Sequence, residues 1–120
     1  MASDLQGELE ALLQRVPGGQ AVVLADPDGI ALAVAARDPR LEADMVAARY
    51  AVVLRDLRNA LDRLGHGEPF QVILELCGAK IAILPLKERF ALYLILAPDQ
   101  DVGRGLFEAR KTATALEATL

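Results

Sequence analysis

The chain has 120 residues, 53% of them apolar, and a formal net charge of −4. That composition implies one folded domain, residues 1–120, with a real core rather than two domains or a disordered chain. Lys and Arg are scattered rather than gathered on one face, which argues against a nucleic-acid partner. The single cysteine excludes an intrachain disulfide and fits a cytoplasmic setting, and Asp4, Glu8 and Glu10 argue against a signal peptide.

In chain order, Ser3 or Asp4 is expected to cap a first helix with apolar positions Leu5, Leu9, Leu12, Leu13 and Val16, ended by Pro17-Gly18-Gly19. A hairpin follows: Gln20–Ala25, the turn Asp26-Pro27-Asp28-Gly29, and Ile30–Ala35. Alternation puts Ile30, Leu32 and Val34 on one face and Ala31, Ala33 and Ala35 on the other, where small side chains admit a close helix.

The next element is expected to be a long helix, Leu41–Leu64, closed by Gly65 and Gly67. Val46, Tyr50, Val53, Leu54, Leu57, Ala60, Leu61 and Leu64 form a broad stripe assigned to the core. Leu41, Met45, Ala48 and Val52 form a second half-stripe on nearly the opposite side, and this one needs a cover from outside the chain. It gives way to Arg55, Asp56, Asn59 and Arg63. Three strands follow, Phe70–Leu76, Lys80–Leu86 and Arg89–Ala97. A two-residue turn at Cys77-Gly78 sets Leu74 opposite Ile81, Val72 opposite Ile83 and Glu75 opposite Lys80. Gln71 and Glu75 give Phe70–Leu76 the composition of an edge strand, whereas the other two strands are apolar on both faces. The apolar run Phe90–Ala97 is too short for membrane insertion. A last helix, roughly Asp101–Thr119, is capped by Asp99 or Asp101 and buries Val102, Leu106, Ala109, Ala113, Leu116 and Leu120. The order is α-β-β-α-β-β-β-α, an α/β (α+β) chain with a five-stranded antiparallel sheet between helices.

No constellation in the sequence points to catalysis. His66 is the only histidine and Cys77 the only cysteine, and neither has a partner of the kind that a metal site or triad requires. The two acids of Asp26-Pro27-Asp28-Gly29 are too few for a calcium loop. The glycines at 18, 19, 103 and 105 form no phosphate-binding motif, and Gly103-Arg104-Gly105 is a weak anion signal at a helix start. Arg49, Arg55, Arg58 and Arg63 alternate with Asp44, Asp56 and Asp62, the pattern of a solvated helix face. No cofactor or metal is expected, and the chain is read as a non-enzyme.

Taken together, Gly19–Ala33 (GQAVVLADPDGIALA), the long helix, Ile81–Leu86 (IAILPL), Arg89–Leu96 (RFALYLIL) and the closing helix resemble the roadblock (dynein light chain) family, and within it the bacterial MglB-like branch. The resemblance covers almost the whole chain. It implies strand order 2-1-5-4-3, the long helix on one face and the terminal helices on the other. It further implies a homodimer in which the long helices pack together and the third strands pair edge to edge. On this chain that interface would be Leu41, Met45, Ala48 and Val52 with Phe70, Gln71, Val72, Ile73 and Glu75. Members act as non-catalytic scaffolds, commonly binding small Ras-like GTPases and regulating their nucleotide cycle. The matching exposed helix surface here is Arg49, Arg55, Asn59 and Arg63. The competing expectation is a profilin-like or PAS-like small-molecule sensor, which wraps helices around a similar sheet but needs a cavity with convergent polar groups.

Overall fold

Two helices lie on one face of the sheet and one on the other, an imbalance that follows from where the apolar residues fall. The computed structural model describes residues 2–120, with side chains from Asp4 onward. Its elements are α1 (Ala2–Arg15), β1 (Gly19–Ala25), β2 (Ala31–Ala36), α2 (Ala43–Leu64), β3 (Val72–Glu75), β4 (Lys80–Pro85), β5 (Ala91–Leu96) and α3 (Val102–Thr119). The strands form one antiparallel sheet in the order β2-β1-β5-β4-β3, as the resemblance implies.

Alternation splits the strand residues between two cores. Val22, Leu24, Ala82, Leu84, Leu92, Leu94 and Leu96 face α1 and α3, where they meet Leu9, Leu12, Val16, Ala109 and Leu116. Ala21, Val23, Ile81, Ile83, Tyr93 and Ile95 face α2, where they meet Ala43, Ala47 and Leu54. The β3–β4 hairpin has the expected register, with Val72 opposite Ile83, Leu74 opposite Ile81 and Glu75 opposite Lys80. Gly105 is buried because α3 rests directly on β5: a Cβ there would lie 3.0 Å from Leu94 Cδ2.

Four sequence expectations are corrected. First, β2 does not alternate strictly. The register shifts between Leu24 and Ala25, so Ala33 pairs with Leu24 and Ala31 with Ala25, leaving Leu32 out. This bulge puts Ala31 on the α2 side with Val34, while Ala33 and Ala35 lie under α1. Second, α2 begins at Ala43 rather than Leu41. Asp38 caps a short 3₁₀ turn, Pro39–Leu41, and Glu42 adopts a left-handed backbone at φ 52° before the helix starts. Third, the broad stripe of α2 is buried only along its centre: Val53, Ala60 and Leu64 are exposed. Fourth, α1 spans Ala2–Arg15, so Ser3 and Asp4 both lie inside it and neither is the cap. At α3 the cap is Asp101, whose carboxylate accepts from the Gly103 N–H at 2.9 Å.

Helix α1 packs on β1 and β2, α3 on β4 and β5, and α2 on β1 and β2. A strand occupies about 4.8 Å of sheet width and a helix about 10 Å, so five strands need two helices per face. The α1/α3 face has two. The α2 face has one, and Val72, Leu74 and Ala79 beside it are only half buried.

Candidate interaction surface

The two edges of the sheet are finished differently. At β2 the Gln6 side chain acts as a substitute strand: its Nε2 donates to the Val34 carbonyl at 2.6 Å and its Oε1 accepts from the Val34 N–H at 3.3 Å. At β3 no comparable cover is present among the described residues, and the strand pairs only with β4. An open edge of backbone donors and acceptors is a template for another strand.

On the same face of the sheet, over β1 and β2, lies α2, whose outer surface is open. Its turns from Ala43 to Leu64 form a 22-residue helix, closed by Gly65 in the left-handed conformation. Val52 and Val53 are 46% and 45% exposed, and Leu64 is 65% exposed. Exposed aliphatic residues gathered on one helix mark an interaction site more often than solitary ones do.

The residues singled out in the sequence fall in several places. Met45, Ala48, Arg49 and Val52 together line a shallow recess of about 380 Å³. Leu41 is not part of it; off the helix, it is half buried against the α2-side core. Arg55 lines a second recess with Pro27, Asp28, Ala51, Val52, Arg58 and Arg89, and Asn59 lines a third with Arg58, Asp62, Gly67, Glu68 and Arg89. Arg63 is exposed and lines neither. On β3, Val72, Ile73 and Leu74 are half buried and Glu75 is exposed, 3.7 Å from Lys80 Nζ. Phe70 and Gln71 precede the strand. Arg110 on α3 donates to Gln71 Oε1 at 2.6 Å and stacks over the Phe70 ring at 4.2 Å, leaving Phe70 73% exposed.

The β1–β2 turn is built into this surface. Asp26 Oδ1 accepts from the Asp28 and Ile30 N–H groups, each at 2.9 Å, and Gly29 takes φ 83°. Gly29 is seated against α2, next to Ala48 and Ala51.

Two polar groups escaped sequence reasoning because they sit on a helix face that reads as amphipathic. Glu108 and Thr112 are buried between α3 and α1. Arg15 Nε reaches Glu108 Oε1 at 2.8 Å and Arg15 Nη2 donates to Thr112 Oγ1 at 3.1 Å, with Lys111 and Arg104 also on Glu108 at 3.2 and 3.4 Å. The bond from Arg15, aided by Lys111, holds the Glu108 carboxyl below its ordinary range against the opposing effect of burial. Burial pushes the Tyr93 hydroxyl up, partly offset by the charge of Arg58. The signal available in the sequence was the spacing Arg104, Glu108, Lys111, which puts three charges on one side of α3.

The chemistry-bearing residues stay apart. His66 and Cys77 are both exposed, in separate loops. Among the described residues no three His, Cys, Asp or Glu side chains gather as a metal site would require, and no helix is long and apolar enough to cross a membrane. A recess of about 650 Å³ between α1 and β2 is lined by Arg37. That guanidinium is already committed to the carbonyls of Gly19 and Leu13.

Residues 5–97 match the model of the Roadblock/LC7 domain. The chain belongs to the Roadblock/LC7 family. Among solved structures, MglB of Myxococcus xanthus superposes with a TM-score of 0.88 at 14% identity, covering 98% of this chain and 88% of that one. A Roadblock/LC7 domain from Streptomyces avermitilis gives 0.85 at 24% identity over 95% of both chains. MglC of Myxococcus xanthus gives 0.71 at 26% identity over the full length of both. No curated protein sequence is similar enough to count as a match.

Proposed function

We propose that this Roadblock/LC7 chain is a cytoplasmic, non-catalytic adaptor that works as a homodimer and regulates or scaffolds a small Ras-like GTPase. The observation that carries the reading is the unfinished α2 face: one helix where the sheet width asks for two, next to an open β3 edge. A second copy related by a two-fold axis supplies both missing parts at once. Its α2 lies beside the first, and its β3 extends the sheet through main-chain hydrogen bonds. Such an interface joins exposed Val53 with Val72, Ile73, Glu75, Phe70 and Gln71, and leaves Val52 and Met45 on the outward side of the helix. The exposed polar positions Arg49, Arg55, Asn59 and Arg63 then remain as the surface offered to the GTPase, the role that the family resemblance gives to this side of the long helix.

Sedimentation velocity at micromolar concentration tests the first part: a dimer is expected, and a monomer alone overturns it. The second part is tested by mixing the chain with a purified small GTPase encoded beside its gene and following phosphate release and nucleotide exchange. A stable complex or a changed nucleotide cycle is expected, with no turnover by the chain alone. Failure to bind and failure to alter either rate overturns the assignment.

A further inference from the structure

Between α2, the β1–β2 turn and the β4–β5 connection lie three guanidinium groups, Arg55 and Arg58 from the helix and Arg89 from the connection. Arg58 is the most enclosed, with its side chain only 13% exposed. Its Nε is buried and has no acceptor in hydrogen-bonding geometry among the described residues; the nearest carboxylate oxygen, Glu68 Oε2, is 3.4 Å away. Glu68 is shared, because Arg89 Nη2 holds its other oxygen at 3.1 Å. Arg55, Arg58 and Arg89 together line a recess of about 250 Å³ whose remaining walls are Pro27, Asp28, Ala51 and Val52. Counting Glu68 from the adjoining loop with Asp28, three guanidiniums face two carboxylates.

The backbone that presents Arg89 is itself unusual. Glu88 and Arg89 are consecutive non-glycine residues in the left-handed region, at φ 57° and 68°. Each such residue costs on the order of 1 kcal/mol or more and persists where surrounding structure holds it in place. Here that conformation carries the Arg89 guanidinium to the same recess as Arg55 and Arg58. An enclosed guanidinium with spare N–H donors is favoured by an acceptor with several oxygens, and the planar fork of arginine matches phosphate best.

We propose that Arg55, Arg58 and Arg89 form a binding subsite for a phosphate group, free or as a monoester. The proposal needs neither the second copy nor the GTPase: Arg55 and Arg58 lie on the flank of α2 that faces Asp28, and Arg89 lies on the β4–β5 connection.

Isothermal titration of the full chain with inorganic phosphate, referenced to potassium chloride at matched ionic strength, tests it. Saturable binding is expected with Kd of about 1 mM or tighter. Arg55→Gln and Arg89→Gln each weaken it at least about tenfold, the effect of losing one charge-assisted fork. Arg104→Gln on α3 leaves it unchanged. Arg58→Lys keeps the charge but loses the fork and also weakens binding; thermal unfolding of each variant separates lost binding from lost structure. O-phosphoserine binding more tightly than phosphate assigns the site to an esterified group, and equal binding assigns it to the free ion. The proposal is overturned by three results: no saturable heat, binding undiminished in both Gln variants, or acetate binding as tightly as phosphate. Sedimentation of the same variants reports separately on the dimer.

Discussion

Gly29→Ala tests how closely the β1–β2 turn is seated on α2. A Cβ at this position would lie 2.7 Å from Ala51 Cβ and 3.1 Å from Ala48 Cα, and the backbone is held at φ 83°. The left-handed conformation costs an alanine about 1–2 kcal/mol, and forcing a methyl into a filled contact costs about 1–3 kcal/mol more. The expected loss is therefore roughly 2–5 kcal/mol, against a total stability of about 5–15 kcal/mol for a natural domain. Urea unfolding followed by circular dichroism measures it, with an unchanged m-value as the sign that the native state is otherwise intact. Ala51→Gly isolates the steric part. Alone it costs about 1 kcal/mol, as glycine does in a helix interior. Combined with Gly29→Ala it removes the shorter contact, so the double variant is less destabilised than the sum of the singles by about 1 kcal/mol or more. A loss below about 0.5 kcal/mol for Gly29→Ala, or strict additivity in the pair, refutes the claim that this turn is clamped onto the helix.

Glu108 should make the chain acid-sensitive. Its carboxyl is held below the ordinary value of 4.5, first by Arg15, so its folded pKa is lower than its unfolded one. The stabilisation is therefore fully present above about 4.5 and is lost as pH falls through the lower folded pKa. Thermal midpoints measured from pH 7 downward should decline less steeply in Glu108→Gln than in the parent; parallel curves would remove Glu108 from the account. Gln6→Ala strips the substitute strand from β2 and exposes both backbone groups of Val34. Faster amide exchange at Val34 is expected, with a stability loss of about 1 kcal/mol; unchanged protection would mean that Gln6 does not cover the edge.

The fold was legible because its determinants are local. The β3–β4 register follows from a two-residue turn at Cys77-Gly78 and from one pair of charges, Glu75 and Lys80, and both can be read without knowing what lies above the sheet. The β2 bulge was not legible, since Ala31, Leu32 and Ala33 alternate as well in register as out of it. What decides is the turn upstream, where Asp26 Oδ1 gathers the N–H groups of Asp28 and Ile30 and leaves Leu32 unpaired with β1. The start of α2 was missed for a similar reason: Asp38, Pro39 and Leu41 suit a helix start, and only the left-handed Glu42 shows that the chain turns again before Ala43. At the surface, sequence spacing found that α2 carries more apolar residues than one core can take. It assigned Val53 and Leu64 to the interior because periodicity reports which residues share a side, not how wide the neighbour beneath that side is. The arginine recess was out of reach, since Arg89 is joined to Arg55 and Arg58 only by the sheet's return through β4 and β5.

The same geometry sharpens which side of α2 should meet a second copy. Taking the buried line Ala43, Ala47 and Leu54 as the underside, residues at about 100° intervals place Ala48, Ala51, Arg55 and Arg58 on one flank. That flank touches Gly29 and shares recesses with Asp28 and Arg89, so it faces the loops at one end of the sheet. Val46, Val53, Leu57 and Leu64 lie on the other flank. Val46 and Tyr50 pack in the same cluster as Val72 and Leu74 of β3, which turns this flank toward the half-covered part of the sheet. A second α2 filling that space meets Val53 before it meets Val52, although the two are equally exposed in the single chain. Val53→Asp should then weaken the dimer at least about a hundredfold, roughly 3 kcal/mol for a charge left unpaired in an apolar contact. Val52→Asp should leave the dimer intact and instead weaken any third chain that docks on Met45, Ala48 and Arg49. Sedimentation equilibrium of the two variants decides between the stripes. Dissociation by Val52→Asp with Val53→Asp unaffected would return the seam to Met45, Ala48 and Val52, the half-stripe first visible in the sequence.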